Sequence, residues 1–408
     1  MRYIEQGSRN YRKALACMLL GSLVTFATLY SPQTLLSVFS EHYRVAPSTA
    51  SFTIALTTAA LALGMLFVPL FSNAWGRKRM MSLSLFLTSA LAILSSFGDS
   101  FGFLLAIRLL EGFSLAGFPA TAMAYLGEEF SPRSIGGIMG IYVAGTGIGG
   151  FVGRVVVGTL TDLFSWRAAL LGLGAINLLC SLYFWFNLPE SRHFKPAATG
   201  WARWRGNLRD GLRNPNLLSL YGTGFLLMGA YVALLNYIGY PLRQAPYRLN
   251  QTMLGSLFAV NLLGIWSAVL FGRLADRHPR PLVIGSAIGL LLAGALLTLH
   301  GALWVKIIGL TVFVFGFFAG HSVASGWVGV TAPAGIKAQA SSLYLLFYYA
   351  GSSLIGWSGG FCWARFGWGG LIGLIGVLLG MAVLLILRVA ALPALARREA
   401  PKPSAARC

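Results

Sequence analysis

Charged residues are scarce in this chain, and acidic residues are the scarcest of them. Lys, Arg, Asp and Glu together make up 10% of the 408 residues, and only 11 residues are Asp or Glu. A soluble domain carries about 25% charged residues. The deficit excludes an ordinary soluble globular protein. Hydrophobic residues, at 56% of the chain, take the place of the missing charge.

Cysteine and histidine are also rare, which removes several classes of chemistry. The four cysteines, at positions 17, 180, 362 and 408, form no C-x-x-C pair or metal-ligand spacing, so we expect no disulfide framework and no metal site. The stretch GWSG at 356–359 matches the G-x-S-G pattern of rhomboid proteases, but they need a later histidine and none follows Ser358. No H-E-x-x-H motif or membrane aspartate pair is present. We therefore predict that the chain is not an enzyme.

The chain consists of long apolar runs separated by short polar turns. Twelve of these runs are long enough to cross a bilayer as helices. We place them at roughly 14–39, 48–72, 79–98, 101–127, 134–161, 166–188, 217–242, 250–274, 281–299, 302–331, 336–361 and 367–390.

The basic residues fall mainly on one side of this twelve-helix arrangement. With the N-terminus inside, 23 of the 31 Lys and Arg residues lie on the inner side, six on the outer side, and two, Arg108 and Arg154, within helices. Basic segments resist translocation, so both termini are expected in the cytoplasm. The formal charge of +20 also raises nucleic acid as a partner. Because the basic residues are dispersed among turns, they favour the lipid bilayer instead, and we expect no nucleic acid partner.

One longer polar stretch divides the helices into six and six. The predicted units are a cytoplasmic tail (1–13), an N-terminal bundle (14–188), an interdomain linker (189–216), a C-terminal bundle (217–390) and a second cytoplasmic tail (391–408). Four apolar residues recur at helical spacing among the linker arginines, which predicts a short amphipathic helix at the inner membrane interface. They are Trp201, Trp204, Leu208 and Leu212.

The two halves repeat one another. PLFSNAWGRKR lies between the second and third helices and GRLADRHPRP between the eighth and ninth, while AGTGIGG in the fifth helix corresponds to AGSSLIG in the eleventh. A parallel repeat of two bundles is typical of transporters that rock two halves around a midplane site. We expect helices 1, 4, 7 and 10 to line the cavity.

Four stretches match one transporter family closely: LPESRHF, FLLMGAYVALLNYIGY, HSVASGW and QASSLYLLFYYAGSS. Through them the chain resembles the major facilitator superfamily, in its twelve-helix drug:proton antiporter branch. The resemblance implies an all-α membrane protein of two pseudo-symmetric six-helix bundles, a monomer in the bacterial inner membrane. It also implies export of a small organic molecule or drug by alternating access. A proton gradient would drive the export, so no cofactor is implied.

The family's loop motif, G-x-x-x-D-x-x-G-R-K, has two imperfect copies. The first keeps Gly76, Arg77 and Lys78, with Asn73 at the Asp position and Pro69 at the leading Gly; the second keeps Gly272, Asp276, Arg277 and Arg280, with Pro279 where Gly is usual. The resemblance implies a cytoplasmic latch in which a carboxylate near a helix end pairs with Arg. Both copies are therefore candidates for conformational gating.

A glycine-rich segment of helix 5 resembles the antiporter motif G-P-x-x-G-G. Gly145, Gly149 and Gly150 match, and Thr146 stands at the proline position. Small residues let helices approach closely. We expect these glycines to form a gating seam.

Helix 4 contains the candidate proton carrier. Arg108 and Gly112 match the family's R-x-x-x-G motif, and Glu111 is the acidic residue placed well inside a helix. Arg108 and Glu111 share one helix face and are close enough to pair. Burial opposes the charge on Glu111 whereas Arg108 favours it, a balance that suits a group that binds and releases a proton. His321 on helix 10 titrates in a useful range and is expected to face Glu111 across the cavity.

Polar and aromatic residues supply candidates for substrate binding. They are Tyr30, Gln33, Tyr231, Asn236, Tyr237, His321, Tyr344 and Tyr348, together with Tyr349 on the same helix as the last two. Arg154 either extends to the outer lipid headgroups, anchors an anionic substrate group, or pairs with Glu111. Proton-coupled uptake, a sugar or metabolite permease, and a sensor that binds ligand without moving it stay open as alternatives.

Overall fold

The computed structural model describes residues 3–5, 7–131, 135–194 and 201–399, without side chains at 69, 70, 73, 135, 136, 201–204, 334, 338 and 392–399. Within these ranges the regular structure is helical, apart from one isolated parallel bridge between Ile4 and Phe130. The all-α class expected from the sequence is confirmed.

The helices follow one another along the whole described chain. Their bounds are Arg9–Tyr30, Pro32–Tyr43, Pro47–Ala50, Phe52–Trp75, Arg77–Ser95, Phe101–Glu129, Ile135–Leu163, Trp166–Asn187, Trp201–Arg213, Pro215–Tyr237, Gly239–Arg243, Gln251–Leu257, Val260–Arg277, Arg280–Leu297, Leu303–Thr331 and Lys337–Glu399, with a 3₁₀ turn at Ala334–Ile336.

Ten helical segments in the described residues are long and apolar enough to cross a bilayer. One of them, Gln339–Ala391, has 53 residues, about twice the length that a bilayer needs. It breaks at Gly367, where φ is 62° and ψ is −158°, so it forms two spans. The 19-residue helix Arg77–Ser95 is less apolar because three basic residues begin it, but it is long enough to cross. Together these segments give twelve spans.

We number these spans 1 to 12 along the chain. Spans 1 to 6 are Arg9–Tyr43, Phe52–Trp75, Arg77–Ser95, Phe101–Glu129, Ile135–Leu163 and Trp166–Asn187; spans 7 to 12 are Pro215–Tyr237, Gln251–Arg277, Arg280–Leu297, Leu303–Thr331, 337–366 and 368–399. The end of the bundle at which span 1 begins is the terminal side, and the end at which span 1 finishes is the opposite side.

Each half of the chain has its own hydrophobic core. The largest cluster of buried apolar side chains runs from Leu217 to Val389, all in the second half. Two smaller clusters, Tyr11 to Leu188 and Ala27 to Leu173, lie in the first half. The two halves are therefore separate bundles. They meet along spans 5 and 8 and along spans 2 and 11.

Hydrogen bonds between the halves, as far as the structure describes them, lie nearer the opposite side. They join Gln33 to Asn236, Ser40 and Leu36 to Tyr240, Glu41 to Arg243, Ser51 to Tyr237, Ala55 to Ser353, and Asp162 to Gln251 and Thr252. The molecule is thus held closed at the opposite side.

The linker helix predicted from the sequence is present as Trp201–Arg213. Its Gly211 is buried, and a Cβ atom there would lie 2.8 Å from the Leu343 side chain, so the helix packs against span 11. The side chains of Trp201 and Trp204 fall outside the described part. Their predicted place in the membrane interface stays a prediction.

Candidate functional site

A cavity of about 400 Å³ lies between the two halves. Seven aromatic residues line it: Phe26, Tyr30, Tyr231, Phe317, Phe318, Tyr348 and Tyr349. The polar lining residues are Thr146, Arg154, Asn261, His321, Ser322 and Ser325. None of the described lining residues is acidic. Spans 1, 5, 7, 8, 10 and 11 contribute them, so the expectation that span 4 lines the cavity is wrong for this structure.

Arg154 lies at the end of the cavity nearer the opposite side, and it is only 1% exposed. Its Nε and Nη2 donate to Oε1 of Gln33, and its Nη1 donates to the carbonyl oxygen of Gly150 at 2.7 Å. The guanidinium also stacks over Tyr30 at 4.9 Å and Phe258 at 4.2 Å. Arg154 therefore extends neither to headgroups nor to Glu111.

His321 lies among aromatic rings further along the cavity. Its Nδ1 is 3.0 Å from the hydroxyl of Tyr344, and its ring lies 4.6 Å from the ring of Tyr348. Tyr231 stacks on Phe317 at 3.8 Å. These rings come from spans 7, 10 and 11 of the second half. They give the cavity an apolar wall with a titratable group in it.

Arg108 and Glu111 form a buried ion pair inside the first half. Arg108 also donates to three carbonyl oxygens, of Thr53 at 2.9 Å, Leu29 at 3.2 Å and Thr28 at 3.3 Å, so it joins span 4 to spans 1 and 2. Neither member of the pair lines the cavity. The expectation that Glu111 faces His321 across the cavity is therefore not met in this structure.

Four predicted substrate residues lie beside the cavity rather than in its wall: Gln33, Asn236, Tyr237 and Tyr344. Gln33 links Arg154 to Asn236, whose Oδ1 accepts from Gln33 Nε2 at 2.9 Å. Tyr237 is fully buried and donates to Ser51 and to the carbonyl oxygen of Gly356. Tyr344 lies behind the wall, where it bonds to His321 and stacks against the ring of Tyr348. The other predicted substrate residues, Tyr30, Tyr231, Arg154, His321 and Tyr348, line the cavity.

The sequence analysis missed several lining residues in the second half. Asn261 accepts a 2.9 Å hydrogen bond from the hydroxyl of Tyr231, and Phe317 and Phe318 form part of the aromatic wall. The lone amide in the apolar run VNLLGIW was the available signal for Asn261. The two phenylalanines gave no signal, because apolar side chains that face lipid and cavity look alike in a sequence.

Comparison with known proteins identifies the family of this fold and cavity. The family model described as Major Facilitator Superfamily matches residues 18–356. The chain belongs to the major facilitator superfamily. The uncharacterized MFS-type transporter YybF of Bacillus subtilis (strain 168) is 44% identical over 94% of this chain and 95% of its own length. The inner membrane transport protein YnfM of Escherichia coli (strain K12) is 40% identical over 383 residues, which is 94% of this chain and 92% of its own length.

Solved structures agree with the fold. A bacterial homolog of the human lysosomal transporter Spinster, in an inward-facing and unoccupied conformation, superposes with a TM-score of 0.73 at 17% identity, covering 96% of this chain and 98% of the other. The nucleoside transporter NupG superposes with a TM-score of 0.72 at 16% identity, covering 93% and 99%. This chain is thus a multi-pass membrane transporter of the superfamily, whose members are not enzymes.

The superfamily's glycine-rich segment packs mainly within the first half. A Cβ atom at Gly145 would lie 2.8 Å from Ser22, and one at Gly149 would lie 2.7 Å from the Leu23 backbone, both in span 1. Gly150 instead lines the cavity. The close approach to the other half involves Gly147, 2.6 Å from Ile265 by the same measure. Gly145 and Gly149 thus pack against span 1 rather than the other half, and their gating role stays a prediction.

The first copy of the loop motif forms ion pairs within the first half. Gly76 has a φ of 95°, a conformation that favours glycine, and it joins span 2 to span 3. Arg77 makes a two-pronged ion pair with Glu128, with Nη2–Oε1 at 2.6 Å and Nε–Oε2 at 3.1 Å. Lys78 pairs with Glu190 at 2.8 Å. The side chain of Asn73 falls outside the described part.

The second copy of the loop motif makes no such pairs in the described residues. Asp276 and Arg277 are exposed, and neither takes part in an ion pair. Arg280 begins span 9, and Gly272 lies in span 8 near Ser322. The two copies therefore differ in this conformation: the first makes ion pairs that do not reach the second half, and the second makes none among the described residues. Their gating roles stay predictions.

Proposed function

We propose that this superfamily member exports a small organic molecule in exchange for protons, by alternating access. The observation that carries the proposal is the buried Arg108–Glu111 pair. Oε1 of Glu111 is buried and has no hydrogen-bond partner among the described residues. An unbonded carboxylate oxygen in the membrane interior is costly, and a proton relieves that cost. Glu111 is thus suited to bind and release one proton in each cycle.

The contacts of Arg108 supply a route from the proton to the cavity. Arg108 donates to the carbonyl oxygens of Thr28 and Leu29, and the next residue, Tyr30, lines the cavity. Tyr30 in turn lies under the guanidinium of Arg154. When Glu111 gains a proton, Arg108 loses a charged partner and its bonds to span 1 must readjust. A shift of span 1 would displace Tyr30, which is part of the cavity wall.

Two further parts of the proposal concern direction and orientation. The resemblance of Gly145, Gly149 and Gly150 to the antiporter motif supports export. The concentration of basic residues on the terminal side supports a cytoplasmic location for both termini. With the opposite side closed, the cavity of this structure would then be accessible from the cytoplasm, as export requires for loading.

Membrane vesicles with an imposed pH gradient test the proposal. Inverted vesicles are given a metabolite mixture, and the compounds that accumulate are measured by mass spectrometry. We expect accumulation into vesicles whose interior is acidic. Glu111→Gln should abolish gradient-driven accumulation but keep exchange at equal pH. Glu129→Gln, a control at the terminal end of the same span, should behave as wild type. Movement with protons would establish uptake, and full active transport by Glu111→Gln would exclude Glu111 as the carrier.

A further inference from the structure

We propose that the transported molecule carries an anionic group, such as a carboxylate, and that Arg154 binds it. The inference rests on the proposed transport function but concerns the substrate alone, not the proton or the direction. It starts from a difference between the two buried arginines. Arg108 has Glu111 as its partner, whereas Arg154 has no acidic partner among the described residues.

The described contacts of Arg154 do not need its charge. Three of its five N–H groups are used, two on Gln33 and one on the carbonyl oxygen of Gly150. Gln33 then carries the link to Asn236 in the other half. A neutral amide is able to donate similar bonds. A lone cation is costly inside a membrane, so its presence beside a cavity indicates a charged ligand.

The other residues that line the cavity indicate what the rest of the ligand is. No described lining residue is acidic, so no carboxylate there repels an anion or pairs with a cation. Rings of Tyr30, Tyr231, Phe317 and Tyr348 offer flat apolar surface. His321 uses Nδ1 on Tyr344, and its other ring nitrogen makes no described hydrogen bond. The cavity, about 400 Å³, fits a metabolite-sized organic acid with an apolar or aromatic body.

Matched probes that differ only in their head group test the assignment. Each of three ring systems, phenyl, indolyl and naphthyl, is used as its propionate, propionamide and propylamine. Binding to the purified transporter in discs of neutral lipid is measured by calorimetry at one pH, with no gradient. We expect at least one propionate to bind about 30-fold more tightly than its amide and amine, the loss expected when a buried charge pair is not formed.

Variants then locate the preference for the anion. Arg154→Gln should reduce it to within about twofold, and Arg154→Lys should keep part of it because the charge remains. Arg167→Gln is the matched control, since Arg167 pairs with Asp99 on the opposite side away from the cavity. The proposal is overturned if no propionate is preferred by wild type, or if Arg154→Gln keeps the preference. The wild-type comparison alone decides the substrate class should Arg154→Gln fail to fold.

The result is separable from that of the transport assay. Binding is measured without a gradient, so a selective anion site stands even if vesicles show no exchange for protons. Conversely, proton-driven transport of a neutral or cationic compound would leave the proposed function intact and would refute the proposal that the substrate is an anion.

Discussion

Asp162 connects the two halves at the opposite side, and its replacement should shift the equilibrium between conformations. Its carboxylate lies at the end of span 5. It accepts from the backbone N–H of Gln251 at 3.1 Å, and from the N–H and hydroxyl of Thr252, both at 2.7 Å. These donors form the first turn of span 8, so the contact is a helix N-terminal cap supplied by the other half. Opening at this side must break it.

The expected size of the shift follows from these bonds. A net hydrogen bond contributes about 0.5–1.5 kcal/mol. Asp162 is exposed, so the low end applies, and three bonds give about 1.5 kcal/mol. Asp162→Ala should therefore raise the ratio of open to closed molecules about tenfold. Asp162→Asn keeps one acceptor oxygen and should cause a smaller shift, of about fivefold.

Distance measurements between spin labels are the suitable assay. Labels at Phe97→Cys and Leu299→Cys stand on exposed loops of the two halves at the opposite side, with native residues 63% and 45% exposed. The native cysteines are first replaced. Longer distances should become more populated in Asp162→Ala. Asp99→Asn is the control, because Asp99 pairs with Arg167 inside one half. Identical distance distributions in wild type and Asp162→Ala would refute the argument that this cap holds the halves together.

Two other predictions use similar reagents. Asp276→Asn should remove the carboxylate of the second latch and destabilise the state closed at the terminal side, so the same label pair should show more short distances at unchanged ligand affinity. Unchanged distances would leave that loop as a topology signal only. A cysteine at exposed position Arg209 on the linker helix should react with an impermeant maleimide only after cells are permeabilised, because the terminal side is expected inside. Labelling of intact cells would reverse the orientation.

The spans were predictable because lipid leaves the chain few choices. Backbone groups of such a chain in a bilayer must be hydrogen-bonded within a helix, so each long apolar run in the sequence predicts a membrane-spanning helix. Span ends were less predictable, because polar residues continue a helix beyond the hydrocarbon. Span 1 begins at Arg9 rather than near 14. Spans 11 and 12 are separated by the single non-helical residue Gly367, whereas the sequence predicted a loop between 361 and 367.

The cavity was less predictable than the helices. Intramembrane charge drew attention to Arg108, Glu111 and Arg154, since such residues are rare and need partners, and all three are buried in the structure. Their spacing also indicated the pair of Arg108 with Glu111. It did not indicate which side of span 4 faces the cavity, because rotation and tilt depend on packing against neighbours. Asn261 went unnoticed for the same reason, since its orientation toward Tyr231 is a tertiary fact.

The two membrane arginines solve the same electrostatic problem in different ways, and the difference bears on mechanism. Arg108 is compensated by a carboxylate of its own chain, so we expect its surroundings to respond to a proton. Arg154 is compensated in the described structure by the dipoles of Gln33 and Gly150 and by the rings of Tyr30 and Phe258, without a carboxylate, so we expect its surroundings to respond to a ligand. Both act on span 1, on either side of the break at Ser31. Glu111→Gln should therefore lose proton driving and keep ligand selectivity, and Arg154→Gln should do the reverse. If both variants lost both properties, one indivisible site would replace this division.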